Sequence, residues 1–361
     1  MRASFVYDQP SIRVVFGAGS IDRLGDEARR LGVRRALVLA TPGQRRIADE
    51  TAGRLGRAAV GVFAEAVMHV PIETAHAGRA AAARLEADSL FAVGGGSTIG
   101  LAKAIALETG LPIVAVPTTY AGSEMTTIYG VTEAGIKKTG RDRRVLPKTV
   151  LYDAALTVTV PPRVSVTSGL NAMAHCVEAL YARDGNPVIS LLAAEGIRVL
   201  ARALPVVADA PGNLDARSDA LYAAWLAGTA LGATSMGIHH KLCHALGGSF
   251  NLPHADVHAV ILPHATAFNR DAASAAMRQI AEALGTPDAA QGIYDLAVRL
   301  GAPRTLSEIG MRHEDLDRAA RLAVENRYDN PRAIEYEGVW QLLEDAFQGR
   351  RPFSESRGAP H

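Results

Sequence analysis

Hydrophobic and polar positions follow two regimes along the chain. In the first 162 residues, short β-branched runs alternate with amphipathic stretches. Residues 12–16, 36–40 (ALVLA), 59–63, 90–93 and 112–116 read as strands, and residues 21–31, 44–55, 73–85 and 99–109 as helices. Strands alternating with helices over short links predict a mostly parallel, Rossmann-like sheet covered on both faces. Residues 127–138 read as a hairpin turning at 133–135, and residues 150–160 lead to Pro161-Pro162. Beyond the double proline the period is helical nearly throughout, over 191–203, 218–232, 274–284, 289–300, 314–324 and 337–348. Two domains are expected: an α/β domain over 1–162 and an all-α domain over 163–361. The tail from 348 to 361 is polar and reads as frayed.

Composition narrows the class. Apolar residues make up 48% and charged residues 21% of the chain, as in a globular enzyme with a large core. The formal net charge of +1 gives no reason to expect nucleic acid or an acidic membrane surface as partner. No run reaches membrane-spanning length, and the first sixteen residues contain no apolar leader core. The two cysteines, Cys176 and Cys243, require no disulfide framework and fit a reducing cytoplasm; each lies beside a histidine and reads as a small buried hydrophobe.

Two loops carry the pattern of a phosphate site. Gly94, Gly95, Gly96, Ser97 and Thr98 stand between a predicted strand and a predicted helix, where backbone can approach a pyrophosphate and a helix start favours its charge. Thr118, Thr119, Tyr120 and Ser123 follow the next strand and add hydroxyl donors at the same sheet edge. Gly17-Ala18-Gly19 also follows a strand, but Asp22 stands where a third glycine belongs, so it reads as a turn. Thr41 ends the second strand, where NAD enzymes often place an acid for the ribose. With Arg45 and Arg46 nearby, NADH and NADPH both stay open. Lys137 and Lys138 on the hairpin are candidates for a cofactor phosphate or ribose, against the reading of a solvated edge.

The densest chemistry lies in residues 236–264, which hold six of the eleven histidines. His240 and His244 share a helix face, Gly247 and Gly248 offer a helix stop, and His254 and His258 repeat the spacing after a turn at 251–253. Bringing the pairs together would build an imidazole cluster around a metal or an anionic substrate.

Four ordered motifs, GGGSTIGLAK (94–103), PTTYAGSE (117–124), NAMAHCVEALYA (171–182) and the histidine stretch, resemble those of the iron-dependent (group III) alcohol dehydrogenases. The resemblance spans residues 16–330 and implies a dehydroquinate synthase-like fold; its details look like the maleylacetate-reducing branch. In metal-dependent members an Asp, a His four residues on and two later histidines bind the metal. By motif these positions fall on Asn171, His175, His240 and His254, with a histidine tied to substrate or proton relay at His244. Asn171 departs from the pattern, since an amide replaces the one anionic ligand. Gly100 departs too, where the family often has Asp.

The resemblance implies an NADH- or NADPH-dependent oxidoreductase, homodimeric and cytoplasmic, acting in aromatic catabolism. It would reduce the carbon–carbon double bond of maleylacetate, a dicarboxylate, to 3-oxoadipate without metal. In that reading His175, His239, His240, His244 and His254 line the substrate pocket, with Lys241 a further candidate. His244 is the first choice of proton donor, Asn171 an amide donor or acceptor, and Tyr328, beside Asn330-Pro331-Arg332, a further candidate. The alternative is an iron- or zinc-dependent alcohol or polyol dehydrogenase, its metal on His175, His240 and His254 with Asn171 in the Asp position.

Overall fold

A computed structural model describes residues 4–134, 136–325 and 328–352. By packing, the chain divides into two units. One comprises Asp8–Pro161 with Ala210–Gly232; the other comprises residues 4–7, 162–209 and 233 to the end of the described chain.

The first unit is an α/β layer structure. Its strands are β1 (Arg13–Phe16), β2 (Ala36–Leu39), β3 (Ala59–Phe63), β4 (Ser89–Gly94), β5 (Ile113–Pro117) and, after a hairpin of β6 (Ile128–Glu133) and β7 (Ile136–Arg141), β8 (Thr149–Tyr152). The six-stranded sheet has the order β1-β8-β5-β4-β2-β3, and all its pairs are parallel. Central strands are buried on both faces, so they read as unbroken apolar runs. Alternate residues part to opposite sides. Leu37, Leu39, Leu90 and Ala92 face one core with α3 (Ile72–Arg84) and α4 (Gly96–Thr109). Ala36, Val38, Phe91 and Val93 face the other with α1 (Leu24–Arg30) and α2 (Arg45–Leu55). The hairpin runs on to Arg141, its register closing at Glu133 opposite Ile136; Gly135, expected in its turn, lies outside the described residues. Ahead of Pro161-Pro162, the strand β8 ends at Tyr152. There the Asp153 carboxylate accepts the amide of Ala155 and caps a 3₁₀ turn.

The second unit is helical: α5 (Pro162–Tyr181), α6 (Pro187–Asp209), α8 (Ile238–Ser249), α9 (His254–Phe268), α10 (Ser274–Leu284), α11 (Ala289–Arg299), α12 (Leu316–Val324) and α13 (Tyr336–Gln348). The intervening helix α7 (Leu214–Ala233) packs in the α/β unit, whereas the expected division at 162 counted it with the helical half. Helix α5 is buried continuously from Ser165 to Ala179 and forms the centre of its unit. Helix α8 corrects an expectation: it passes through Gly247 and Gly248 to Ser249. A glycine inside a helix costs only about 1 kcal/mol, less than burial of Leu246 beside it returns. The reversal falls on Asn251, at a φ of 54°, a conformation asparagine tolerates. Among the described residues no helix is long and apolar enough to cross a membrane.

Candidate active site

In the α/β unit the chain leaves β2 for β3 in one direction and β4 for β5 in the other, with α2 and α4 on opposite faces. Such a reversal opens a crevice at the carboxyl ends of the two strands, and the glycine loop lies there. Gly94 has a φ of 156°, and a Cβ on it would lie 2.6 Å from Gln44 Oε1. A Cβ on Gly95 would lie 2.9 Å from Thr119 Oγ1. The loop is therefore closed to side chains, while the first amides of α4 have no carbonyl a turn before them. Gln44 ties its rim: its Nε2 donates to Thr118 Oγ1 at 2.7 Å, and its Oε1 accepts from Thr41 Oγ1 at 3.2 Å. Thr98 Oγ1 is buried with no hydrogen-bond partner. A backbone cradle lined by hydroxyls fits a dinucleotide pyrophosphate.

The flanking candidates fall in several places. Ser97, Thr119 and Ser123 are half-buried in the two loops. Tyr120 is buried, and its hydroxyl accepts from Arg217 Nη1 of α7 at 3.4 Å, so its polar end serves packing. Lys138 is exposed and ion-paired to Glu133 on the same hairpin. Arg45 and Arg46 pair one turn on with Asp49 and Glu50. The Gly17–Gly19 turn is filled from within, since Asp153 accepts the amides of Gly19 and Ile21 at 3.0 Å. Gly100 admits no larger residue without displacing Val70, whose Cγ2 would lie 2.8 Å from a Cβ. Lys103 escaped the sequence reading. Its buried Nζ donates to the carbonyl oxygens of Ser123, Thr126 and Ile128 and to Thr126 Oγ1 within 2.9 Å, which staples the second loop to the hairpin.

In the helical unit the expected imidazole cluster forms. Helix α5 brings Asn171 and His175, α8 brings His239, His240 and His244, and α9 brings His254 and His258. His175 Nδ1 lies 2.8 Å from His240 Nε2, and the two rings stack. The His254 and His244 rings lie nearly parallel, 6.4 Å apart. His258 packs edge-on to His239, His240 and His254. Access is graded: His244 is exposed, His254 half-buried, and His175, His240 and Asn171 buried. His239, expected in the lining, is instead fully buried, with its Nε2 2.9 Å from His258 Nδ1 and 3.6 Å from Cys243 Sγ. Burial, and then the neighbouring imidazoles, hold His239 and His258 well below the usual histidine range, so both are neutral. His264, the sixth histidine of the stretch, lies apart in the helix core, lowered to about 4 by burial.

Three further features complete this part. Glu178, one turn beyond His175 on α5, is fully buried, and its Oε2 lies 2.6 Å from His240 Nδ1. Its three-residue spacing from His175 was the available signal, masked by an otherwise apolar helix. Tyr328 packs against the helical core with its hydroxyl buried and unpartnered and Lys241 Nζ 5.7 Å from its ring centroid; Asn326 and Arg327 before it lie outside the described residues. Cys176 is buried, its thiol pushed up to about 12 by burial, which suits a packing role.

The donors at Asn171, His175, His240 and His254 bring no negative charge to a cation, and two of the rings share a hydrogen bond. Among the described residues, the group with ligand atoms close enough for a metal is His239, Cys243 and His258, all within 4.8 Å. Its sulfur-bearing set is soft rather than hard.

Comparison with known proteins agrees with these two parts. Residues 10–154 match the iron-containing alcohol dehydrogenase family, and residues 165–347 match the C-terminal part of the same family. A maleylacetate reductase of Burkholderia cepacia is 58% identical over 97% of this chain and 99% of its own length. That of Sphingobium indicum is 54% identical, with the same coverage. The crystal structure of maleylacetate reductase from Agrobacterium tumefaciens is 51% identical, covers 97% of this chain and all of its own, and superposes with a TM-score of 0.93. The chain belongs to the iron-containing alcohol dehydrogenase family, in the branch that holds the maleylacetate reductases.

Proposed function

We propose that this oxidoreductase reduces the carbon–carbon double bond of maleylacetate to 3-oxoadipate with NADH or NADPH, in the breakdown of aromatic compounds. It would act in the cytoplasm as a homodimer. The observation that carries the reading is Asn171, an uncharged amide with a buried, unpartnered Oδ1, set in an imidazole cluster. The names of its full-length relatives support the same substrate.

The glycine cradle, Gln44 and the Thr118–Thr119 hydroxyls would hold the dinucleotide. Bound there, a nicotinamide would supply the hydride that adds to the carbon β to the ketone. The substrate is a conjugated enone with two carboxylates, so negative charge gathers on the ketone oxygen as an enolate. Ring N–H donors stabilise an enolate without a Lewis acid. His244, the exposed imidazole, exchanges protons with solvent and delivers one to the α carbon. The half-buried His254 would meet a carboxylate, with Lys241 a further candidate for the second. A hard divalent ion fits poorly among these groups, since Asn171 offers a neutral oxygen and His175 and His240 spend ring nitrogens on each other. The second reading, a metal-dependent alcohol dehydrogenase, is favoured by the three imidazoles at the family's ligand positions, a set zinc accepts.

Loss of NADH or NADPH absorbance on mixing with maleylacetate, alongside elemental analysis of the active protein, decides between them. Turnover with substoichiometric metal supports the proposal, whereas absence of turnover, or turnover abolished by a chelator, rejects it. His244→Ala should keep cofactor affinity and lose kcat by on the order of 10²–10⁴-fold; an unchanged rate removes His244 from the proton path.

A further inference from the structure

Glu178 stands at the centre of a set of directed hydrogen bonds that the reaction scheme leaves unused. It is fully buried. Its Oε2 accepts the amide of Gly237 at 2.9 Å and that of His240 at 3.4 Å; its Oε1 accepts the amide of His239 at 2.9 Å and the Tyr181 hydroxyl at 3.3 Å. These amides form the start of α8, where carbonyl partners are lacking and a carboxylate is favoured. Each of these four groups is a donor, so the carboxylate acts as acceptor throughout. The ring of His240, 2.6 Å away, must then donate through Nδ1–H.

The rest follows from imidazole valence. A neutral His240 with its proton on Nδ1 has a lone pair on Nε2. His175 Nδ1, 2.8 Å from that nitrogen, must carry the proton between them. His175 is therefore also an Nδ1–H tautomer, and its Nε2 is an acceptor. Asn171, one turn earlier on the same face of α5, adds the unpartnered Oδ1, a second acceptor.

We propose that Glu178 is a positioning residue that fixes the tautomers of His240 and, through it, of His175, so that His175 offers a ring lone pair rather than an N–H. Resting on the reading of this cluster as the substrate site, the assignment divides its labour. The α5 side accepts hydrogen bonds and suits a water or hydroxyl, and the carboxylates and the enolate oxygen go to donors on α8 and α9.

The test is histidine-selective ¹⁵N labelling with long-range ¹H–¹⁵N correlation, at a pH where the rings are neutral. Signals of the two rings are assigned from His175→Gln and His240→Gln spectra. Both rings should show protonated Nδ1 and bare Nε2; Nε2–H on either one overturns the proposal. In Glu178→Leu nothing accepts the proton of His240 Nδ1, so both rings should lose the Nδ1–H pattern, and kcat should fall by on the order of a hundredfold with cofactor affinity kept. Unaltered tautomers in that variant also overturn it. If the variant does not fold, the wild-type spectrum still decides. Expected tautomers without maleylacetate turnover would reject the substrate and keep the role of Glu178. Other tautomers with intact turnover would do the reverse.

Discussion

Asn171 decides the character of the imidazole cluster, because it is where the family's pattern places the one anion. Its Oδ1 is buried without a partner, so a carboxylate at the same position would meet no donor and would draw a cation instead. Asn171→Asp should therefore bind Zn²⁺ more tightly, by on the order of tenfold or more, and lose metal-free turnover of maleylacetate. Calorimetric titration with Zn²⁺ checks the first part; equal affinity in both proteins would show that charge at 171 does not govern the site. The histidines were legible because their four-residue spacing survives in any helix. Glu178 was not, since a carboxylate in an apolar helix carries no period of its own. Depth was also illegible: His239 and His240 are adjacent in sequence, yet only the structure places the first beneath the second.

At the scale of elements, the glycine loop between β4 and α4 is the clearest agreement between pattern and fold, because strand, loop and helix each have their own period. Gly95→Ala tests its purpose. The backbone there is extended and admits alanine, but the new Cβ would press on Thr119 and move its hydroxyl from the cradle. An overpacking cost of about 1–3 kcal/mol borne by the bound state should raise KM for the nicotinamide by roughly tenfold or more, with kcat at saturation little changed; an unaltered KM would remove the loop from the cofactor site. The second loop depends on Lys103 and Glu124, which a sequence reads as solvated. Burial raises Glu124 from 4.5 to about 7, opposed by its hydrogen bond from Tyr152 and the charge of Lys103. The folded protein then holds a proton that the unfolded chain has released, so stability should fall as pH rises from about 5 to about 7. Above that range Lys103, lowered to about 7 by burial, adds a change of opposite sign. Glu124→Gln should flatten the fall, read as the difference in Tm between the two ends of the window. A slope equal to that of the wild type would show that Glu124 is ionised throughout.

For the molecule as a whole, the alternation of strands and helices was legible, but membership of a layer was not. A helical period announces a buried face without saying what covers it, and α7 illustrates the gap. It sits between two helices of the helical unit in sequence, yet it packs in the α/β unit. The reason is specific. Arg217, which a sequence reads as solvent-facing, is fully buried; its guanidinium donates to the carbonyl oxygens of Pro211 and Val160 and to Tyr120. Near the end of α7, Gly228 passes so near the 118–123 loop that a Cβ would lie 2.9 Å from Gly122 Cα. Both sides of that contact are backbone and cannot rotate away. Gly228→Ala should therefore lower stability by about 1–3 kcal/mol, seen as a fall of several degrees in Tm, and should loosen the nicotinamide by disturbing the loop. Gly212→Ala, with nothing within 4 Å of its Cβ, supplies the control and should leave both unchanged. Equal behaviour of the two variants would mean that α7 does not buttress the loop.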